Sequence, residues 1–372
     1  MHSISRLTLV LAALVAVMFV AVACGQAPPD QGGGKTGKET TKKATGGETT
    51  GGETTQEQPF KAEKGSLIVY SGRGEELVGP VIEQFEEESG VDVQVRYGDT
   101  AELAATILEE GPNSPADVFF AQDPGALGAL ADEGAFQKLP DNVLSKVDGR
   151  FRSPDGEWVG TTSRARVVAY NTDTLEESDL PDSILDFTDP KWKGKIGWAP
   201  TNGSFQAFVT ALRETEGEDA AREWLEGIQA NEPFVYPDNS ATLEAVASGE
   251  IEVGFVNHYY LYRALAEQGN DFAARNYNFP GTDIGNLVIA SGIGTLKTAD
   301  NGDQGERFIE YLLSKEAQQY FAEEDYEYPL VEGVEPSKDV PPLSDIAAPK
   351  VDLGSLDDLE GTLELLRETG AL

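Results

Sequence analysis

Apolar positions along most of the chain fall into short runs separated by stripes at helical spacing. Leu67-Ile68-Val69-Tyr70 is a compact apolar run stopped by Ser71-Gly72-Arg73-Gly74, which reads as a buried strand and its turn. Leu77, Val78, Val81, Ile82 and Phe85 then recur at helical spacing up to Glu88, ahead of Gly90. Val91–Val95 alternates as a strand does, Ala101–Glu110 reads as a second helix and Ala116–Phe120 as a third strand. Strand, helix, strand, helix, strand is the start of a doubly wound α/β arrangement. The alternation begins again near Arg166. Strands are expected at Val167–Tyr170, Ile196–Trp198 and Ile251–Val256, with helices at Phe205–Arg213, Ala220–Ile228, Ala241–Ala247 and Tyr260–Ala266. Glu306–Leu313 and Ala317–Glu323 close the pattern. Gly65–Leu372 is long enough that two lobes are the natural expectation, with ligand in the cleft between them.

Residues 1–64 follow other rules. Arg6 precedes Leu7–Ala23, which is apolar apart from Thr8 and ends at Cys24, the chain's single cysteine. A basic start, an apolar run and small residues before a cut site make 1–24 a secretory signal segment. The run is also near the lower length limit of a spanning helix, so an uncleaved anchor is the alternative. Ala21-Val22-Ala23-Cys24 resembles a bacterial lipobox, with Ala21 where leucine is usual, which makes Cys24 the expected lipidation site and the outer face of the cell membrane the expected location. Residues 25–64 hold little that is apolar, and Gly46–Thr50 repeats at once as Gly51–Thr55, so this part is expected to be a disordered linker.

Charge and chemistry narrow the function. The linker's six lysines balance six acids, so the imbalance sits in residues 65–372, where 21 basic against 59 acidic residues leave a net charge of −38. Such a domain repels nucleic acid. One cysteine allows neither an intrachain disulfide nor a cysteine metal cluster. His2 and His258 are the only histidines, so any histidine-based catalysis after the signal segment falls to His258 alone, and no nucleophile motif accompanies it. No phosphate-cradling glycine loop with its lysine occurs. The chain is therefore expected not to be an enzyme.

Asn257-His258-Tyr259-Tyr260 is the sharpest feature, lying between the strand Ile251–Val256 and the helix after it. Adjacent side chains in an extended strand point to opposite faces, but at a strand-to-helix turn both can reach one point. A phenol titrates near pKa ~10, and only a strongly acidic hard cation such as Fe³⁺ displaces its proton near neutral pH. Spacing alone favours the ordinary arrangement, one tyrosine buried and hydrogen-bonded and the other lining a pocket.

From Gly65 to Leu372 the chain resembles the ferric-ion-binding proteins of bacterial ABC iron importers. The resemblance runs through Val69–Arg73, Ser114–Phe119, Ser163–Val168, Pro190–Gly197, Asn257–Tyr260 and Glu327–Leu330. It implies an α/β, two-lobed periplasmic-binding-protein fold of type II kind, each lobe a βα sheet sandwich joined by a hinge of crossing strands. The implied first lobe is 65–166 with about 290–340, and the second about 167–289 with 341–372. It also implies delivery to an ABC permease by a monomer, with Fe³⁺ held by the phenolates of Tyr259 and Tyr260. A synergistic anion, carbonate or phosphate, falls to Asn202, Gly203, Ser204, Asn239 and Asn257. Arg73 and Arg166 are further candidates for an anion, and Arg164 shares a face with Arg166 if that stretch is extended. The sequence departs from one branch of the family by carrying Gly74 and Gln122 where that branch has a histidine and a glutamate ligand. The alternative cargo for the same fold is a small anion such as a phosphonate, sulfate or carboxylate.

Overall fold

The computed structural model describes residues 65–372; the signal segment, Cys24 and the linker lie outside the described residues. The first half of the fold opens with β1 (Ser66–Ser71), α1 (Glu75–Ser89), β2 (Asp92–Tyr97), α2 (Thr100–Glu110), β3 (Val118–Ala121) and α3 (Pro124–Asp132). A single turn, α4 (Asp141–Leu144), precedes the long β4 (Val159–Asn171). Next come β5 (Ile196–Trp198), α5 (Gly203–Glu216), α6 (Glu218–Ala230), β6 (Phe234–Val235), α7 (Asn239–Ser248), β7 (Val253–Asn257), α8 (Tyr259–Gln268) and β8 (Ala274–Tyr277). The chain returns through β9 (Val288–Thr295), α9 (Gly302–Leu312), α10 (Lys315–Glu323) and β10 (Tyr328–Pro329), and finishes with α11 (Leu359–Glu368).

Leu77, Val78, Val81, Ile82 and Phe85 are the buried face of α1, which stops where Gly90 takes the left-handed conformation, φ +71°. Strands β2, β1 and β3 are parallel, as their helical crossovers require. β9 then joins antiparallel to β3 and to β4, giving the order β2-β1-β3-β9-β4-β7-β5-β6.

β4 is what makes the molecule two-lobed. Up to Ala165 it pairs with β9 and β10; from Arg166 it pairs with β7 and β8. One strand therefore serves two sheets, each layered with its own helices. All 13 of its residues are buried, yet its first half reads Val-Gly-Thr-Thr-Ser-Arg-Ala. That polarity is why the sequence suggests a strand only from Val167.

The last stretch touches both halves. α11 packs on α5, with Thr210 and Thr362 hydroxyls 2.7 Å apart and Arg213 paired to Asp358 at 2.7 Å. Just before it, Leu356 and Asp357 lie so close to α3 that only the glycines Gly125 and Gly128 fit there.

Candidate functional site

The parallel pairing of β5 with β7 brings the starts of α5 and α8 to the same end of the second sheet. At that end Tyr259 and Tyr260 open α8, their rings stacked with centroids 4.2 Å apart and 28° between planes. Tyr259 is fully buried, and outside the pair, where the Tyr260 hydroxyl approaches it loosely, its Oη has no hydrogen-bond partner. Burial is the first cause that pushes both phenols above their ordinary pKa; Glu327 adds to it for Tyr259, and Tyr259 itself adds to it for Tyr260. Both are therefore neutral until something strongly cationic replaces their protons.

Around the pair lies a surplus of donors. Ser204 Oγ faces Arg164 Nη2 at 3.2 Å, Asn257 Nδ2 at 3.2 Å and Gln122 Nε2 at 3.5 Å. A hydroxyl has lone pairs for two. Arg164 also keeps Nε and Nη1 without a partner although it is fully buried. Unpaired buried donors cost free energy, and an anionic or carbonyl oxygen is the chemistry that would satisfy them. The start of α5 faces the same place, with Asn202 Oδ1 capping it by accepting from the Ser204 N–H at 3.1 Å.

Among the other expected residues, Asn257 bridges the cluster by accepting from Arg166 Nη1 at 2.9 Å and donating to Ser204. Burial, then the neighbouring Arg164, lowers the Arg166 guanidinium to about 9. Asn239 opens α7 beside Tyr260, whose pKa its amide acts to lower. Gly203 is pressed against the other lobe: a Cβ there would lie 2.3 Å from Asp123 Oδ2.

Arg73 is engaged elsewhere. It pairs with Glu327 at 3.0 Å and donates to Ser291 at 2.8 Å and Thr162 at 3.3 Å. Burial opposes its charge, but Glu327, Tyr259 and Asp325 together outweigh that and raise its pKa. Burial likewise opposes ionisation of Glu327, and Arg73 with Arg164 overcomes it. Glu327 is a buried carboxylate whose partners are far away in sequence, and it stands out in the sequence only within the Glu327–Leu330 match. Thr162 and Ser291 leave no sequence signal at all.

His258 is fixed rather than reactive. Its Nδ1 accepts from the Ala165 N–H at 3.2 Å, which assigns the proton to Nε2, donated to the Tyr326 carbonyl at 3.0 Å. Burial holds its pKa down at about 4. Gly74 precedes α1 and brings no side chain, while Gln122 keeps Oε1 unpartnered in the cluster. Asp123 caps α3 by accepting from the Ala126 N–H at 3.2 Å, and burial raises it to about 6. Among the described residues no group of three or more His, Cys, Asp or Glu side chains could hold a metal, which leaves phenols as the distinctive donors.

Residues 81–348 match the family model described as bacterial extracellular solute-binding protein. The chain belongs to that family. Its relatives there are solute-binding proteins, not enzymes. The major ferric iron-binding protein of Neisseria meningitidis serogroup B is 34% identical over 308 residues, 82% of this chain and 92% of the relative. The Fe(3+)-binding periplasmic protein of Serratia marcescens is 32% identical over 317 residues, 85% of this chain and 93% of the relative. Among solved structures, iron-bound HitA from Pseudomonas aeruginosa superposes with a TM-score of 0.79 at 32% identity, covering 82% of this chain and 99% of HitA. This solute-binding protein therefore shares its two-lobed fold with relatives whose names refer to ferric iron.

Proposed function

We propose that this solute-binding protein captures Fe³⁺ between its lobes through the phenolates of Tyr259 and Tyr260 and delivers it to an ABC permease. An anion, carbonate or phosphate, completes the shell against Arg164, Ser204, Asn257 and the start of α5. The lobes divide as 65–166 with about 290–340, and about 167–289 with 341–372. A lipid on Cys24 tethers the protein to the outer face of the membrane.

The observation that carries this reading is the stacked tyrosine pair, with Tyr259 Oη buried and without a partner outside the pair, near a surplus of hydrogen-bond donors. Two hard anionic oxygens from adjacent residues suit a trivalent cation, and the donors suit its counter-anion. The names of the Neisseria and Serratia relatives support the same cargo. The test is to add ferric citrate to metal-free protein. A visible phenolate-to-iron absorption is expected, and it should fall sharply in Tyr259→Phe and in Tyr260→Phe. An absorption unchanged in both variants rejects the assignment. The unpaired Arg164 donors favour one other reading, in which a small anion is itself the cargo; calorimetric binding of phosphate or sulfate without metal would support it.

A further inference from the structure

The helix that carries the tyrosine pair is tied to the opposite lobe by one short turn, residues 325–328. His258, at the head of α8, donates to the Tyr326 carbonyl and stacks on Tyr328 at 4.6 Å with 13° between rings. One turn further along α8, Tyr262 packs on Tyr326 with centroids 6.1 Å apart. Arg263 reaches Asp325 at 3.6 Å and donates to the Glu76 carbonyl of α1 at 3.3 Å. Glu327 in the same turn holds Arg73 at the end of β1.

The turn is not at rest. Tyr326 has φ +59°, a left-handed conformation that a bulky residue adopts only when its surroundings impose it. Asp325 is 2% exposed in its side chain, and its Oδ2 has no partner. Burial and then Glu327 push its pKa well up; Arg73 and Arg263 are what pull it back. The contact lies beside a cleft of about 480 Å³ lined by Glu76, Arg263, Tyr320 and Asp325, so water has a route to it. Arg263 is four residues from Tyr259, one turn along the same helix face. Arg263 therefore anchors α8 to the opposite lobe one turn from the first phenol.

We propose that Arg263 and Asp325 form a latch between the lobes that positions α8, so that lobe closure and alignment of the two phenols are one event. The proposal rests on the ferric reading above for its cargo, while the latch itself is a property of the chain. Arg263→Gln, Asp325→Asn, the double variant and Arg263→Lys, all loaded with iron, are mixed with excess EDTA and the decay of the phenolate absorption is followed. Each of the first two should release iron about fivefold faster, Arg263→Gln somewhat more because it also loses the Glu76 carbonyl. The double variant should be no faster than Arg263→Gln, because both substitutions break the Arg263–Asp325 contact. Arg263→Lys should recover most of the wild-type rate, and the absorption maximum should stay in place. Single variants within about twofold of wild type, or effects that multiply in the double, overturn the latch. A wild type that never develops the absorption rejects the ferric reading instead. The latch is then judged by hydrogen exchange of the metal-free proteins: faster exchange in residues 259–268 of both single variants supports it, and unchanged exchange overturns it.

Discussion

Arg164 sits where water does not reach, with one hydrogen bond to Ser204, two nitrogens without a hydrogen-bond partner, and the Glu327 carboxylate near enough to support its charge. Burial lowers its pKa, so the fold works against its charge. In the proposed capture Arg164 serves the co-bound anion, which would account for that cost. Arg164→Met removes that burial cost but also a cation that supports the buried Glu327 carboxylate, so the melting temperature of the metal-free protein should change by no more than about 2 °C. In the same variant, iron loading should lose its response to added bicarbonate or phosphate. A lower melting temperature with the response intact would return Arg164 to a purely structural role. The sequence shows this residue only as one of two arginines in an alternating stretch. The tyrosine pair was easier to see because both members sit side by side at a strand end. The Arg73–Glu327 pair was hidden by its separation, since nothing local in either segment indicates the other.

At the scale of elements, β7 and α8 meet at His258, and that junction links the site to acid. The His258 ring is held neutral, its pKa about 4 against an unfolded value near 6.5. The unfolded chain therefore binds the proton first, and this contribution to stability is full above about pH 6.5 and drains away as pH falls towards 4. Asp123 works in the opposite sense, because its folded pKa of about 6 lies above the unfolded value and protonation favours the folded form. Comparison with His258→Gln isolates the histidine: between pH 7 and pH 5 wild type should lose ~2 kcal/mol more unfolding free energy than the variant. Equal losses in denaturant titrations would mean that the ring is not held neutral. The elements themselves were legible where burial and apolarity coincide, as in β1, α1 and β7. They were not legible where a buried strand is polar. β4 carries Thr161, Thr162, Ser163 and Arg164 into the interior, where Thr161 and Thr162 bond Ser291 and Arg164 bonds Ser204, so the apolar signal disappears there. β9 escaped for a related reason. Its Gly292 and Gly294 lie so close to the backbones of Val159 and Glu157 that no side chain fits, and small residues carry no periodicity.

In the proposed capture, closure of the lobes depends on how nearly α3 and α5 can approach, since α3 packs on the first sheet and α5 on the second. Gly203 is the point of contact. A Cβ there would lie 2.3 Å from Asp123 Oδ2 and 3.3 Å from Thr100 Oγ1, both reaching across from the other lobe. Gly203 has no positive φ, so alanine suits its backbone and even favours the helix start. The Gly203→Ala change should therefore leave the metal-free protein as stable as wild type or slightly more so. What it blocks is the closed form, because Asp123 is anchored as the cap of α3 and cannot simply swing away. Iron affinity should fall by about tenfold, corresponding to ~1.4 kcal/mol of strain at closure. Small-angle scattering of the iron-loaded variant should show a larger radius of gyration than loaded wild type. Asp123→Ser keeps a capping oxygen but withdraws the clashing atom, so adding it to Gly203→Ala should restore much of the affinity. Wild-type affinity in Gly203→Ala would show that the lobes do not close on this contact. A loss that Asp123→Ser fails to relieve would place the obstruction at Thr100 instead.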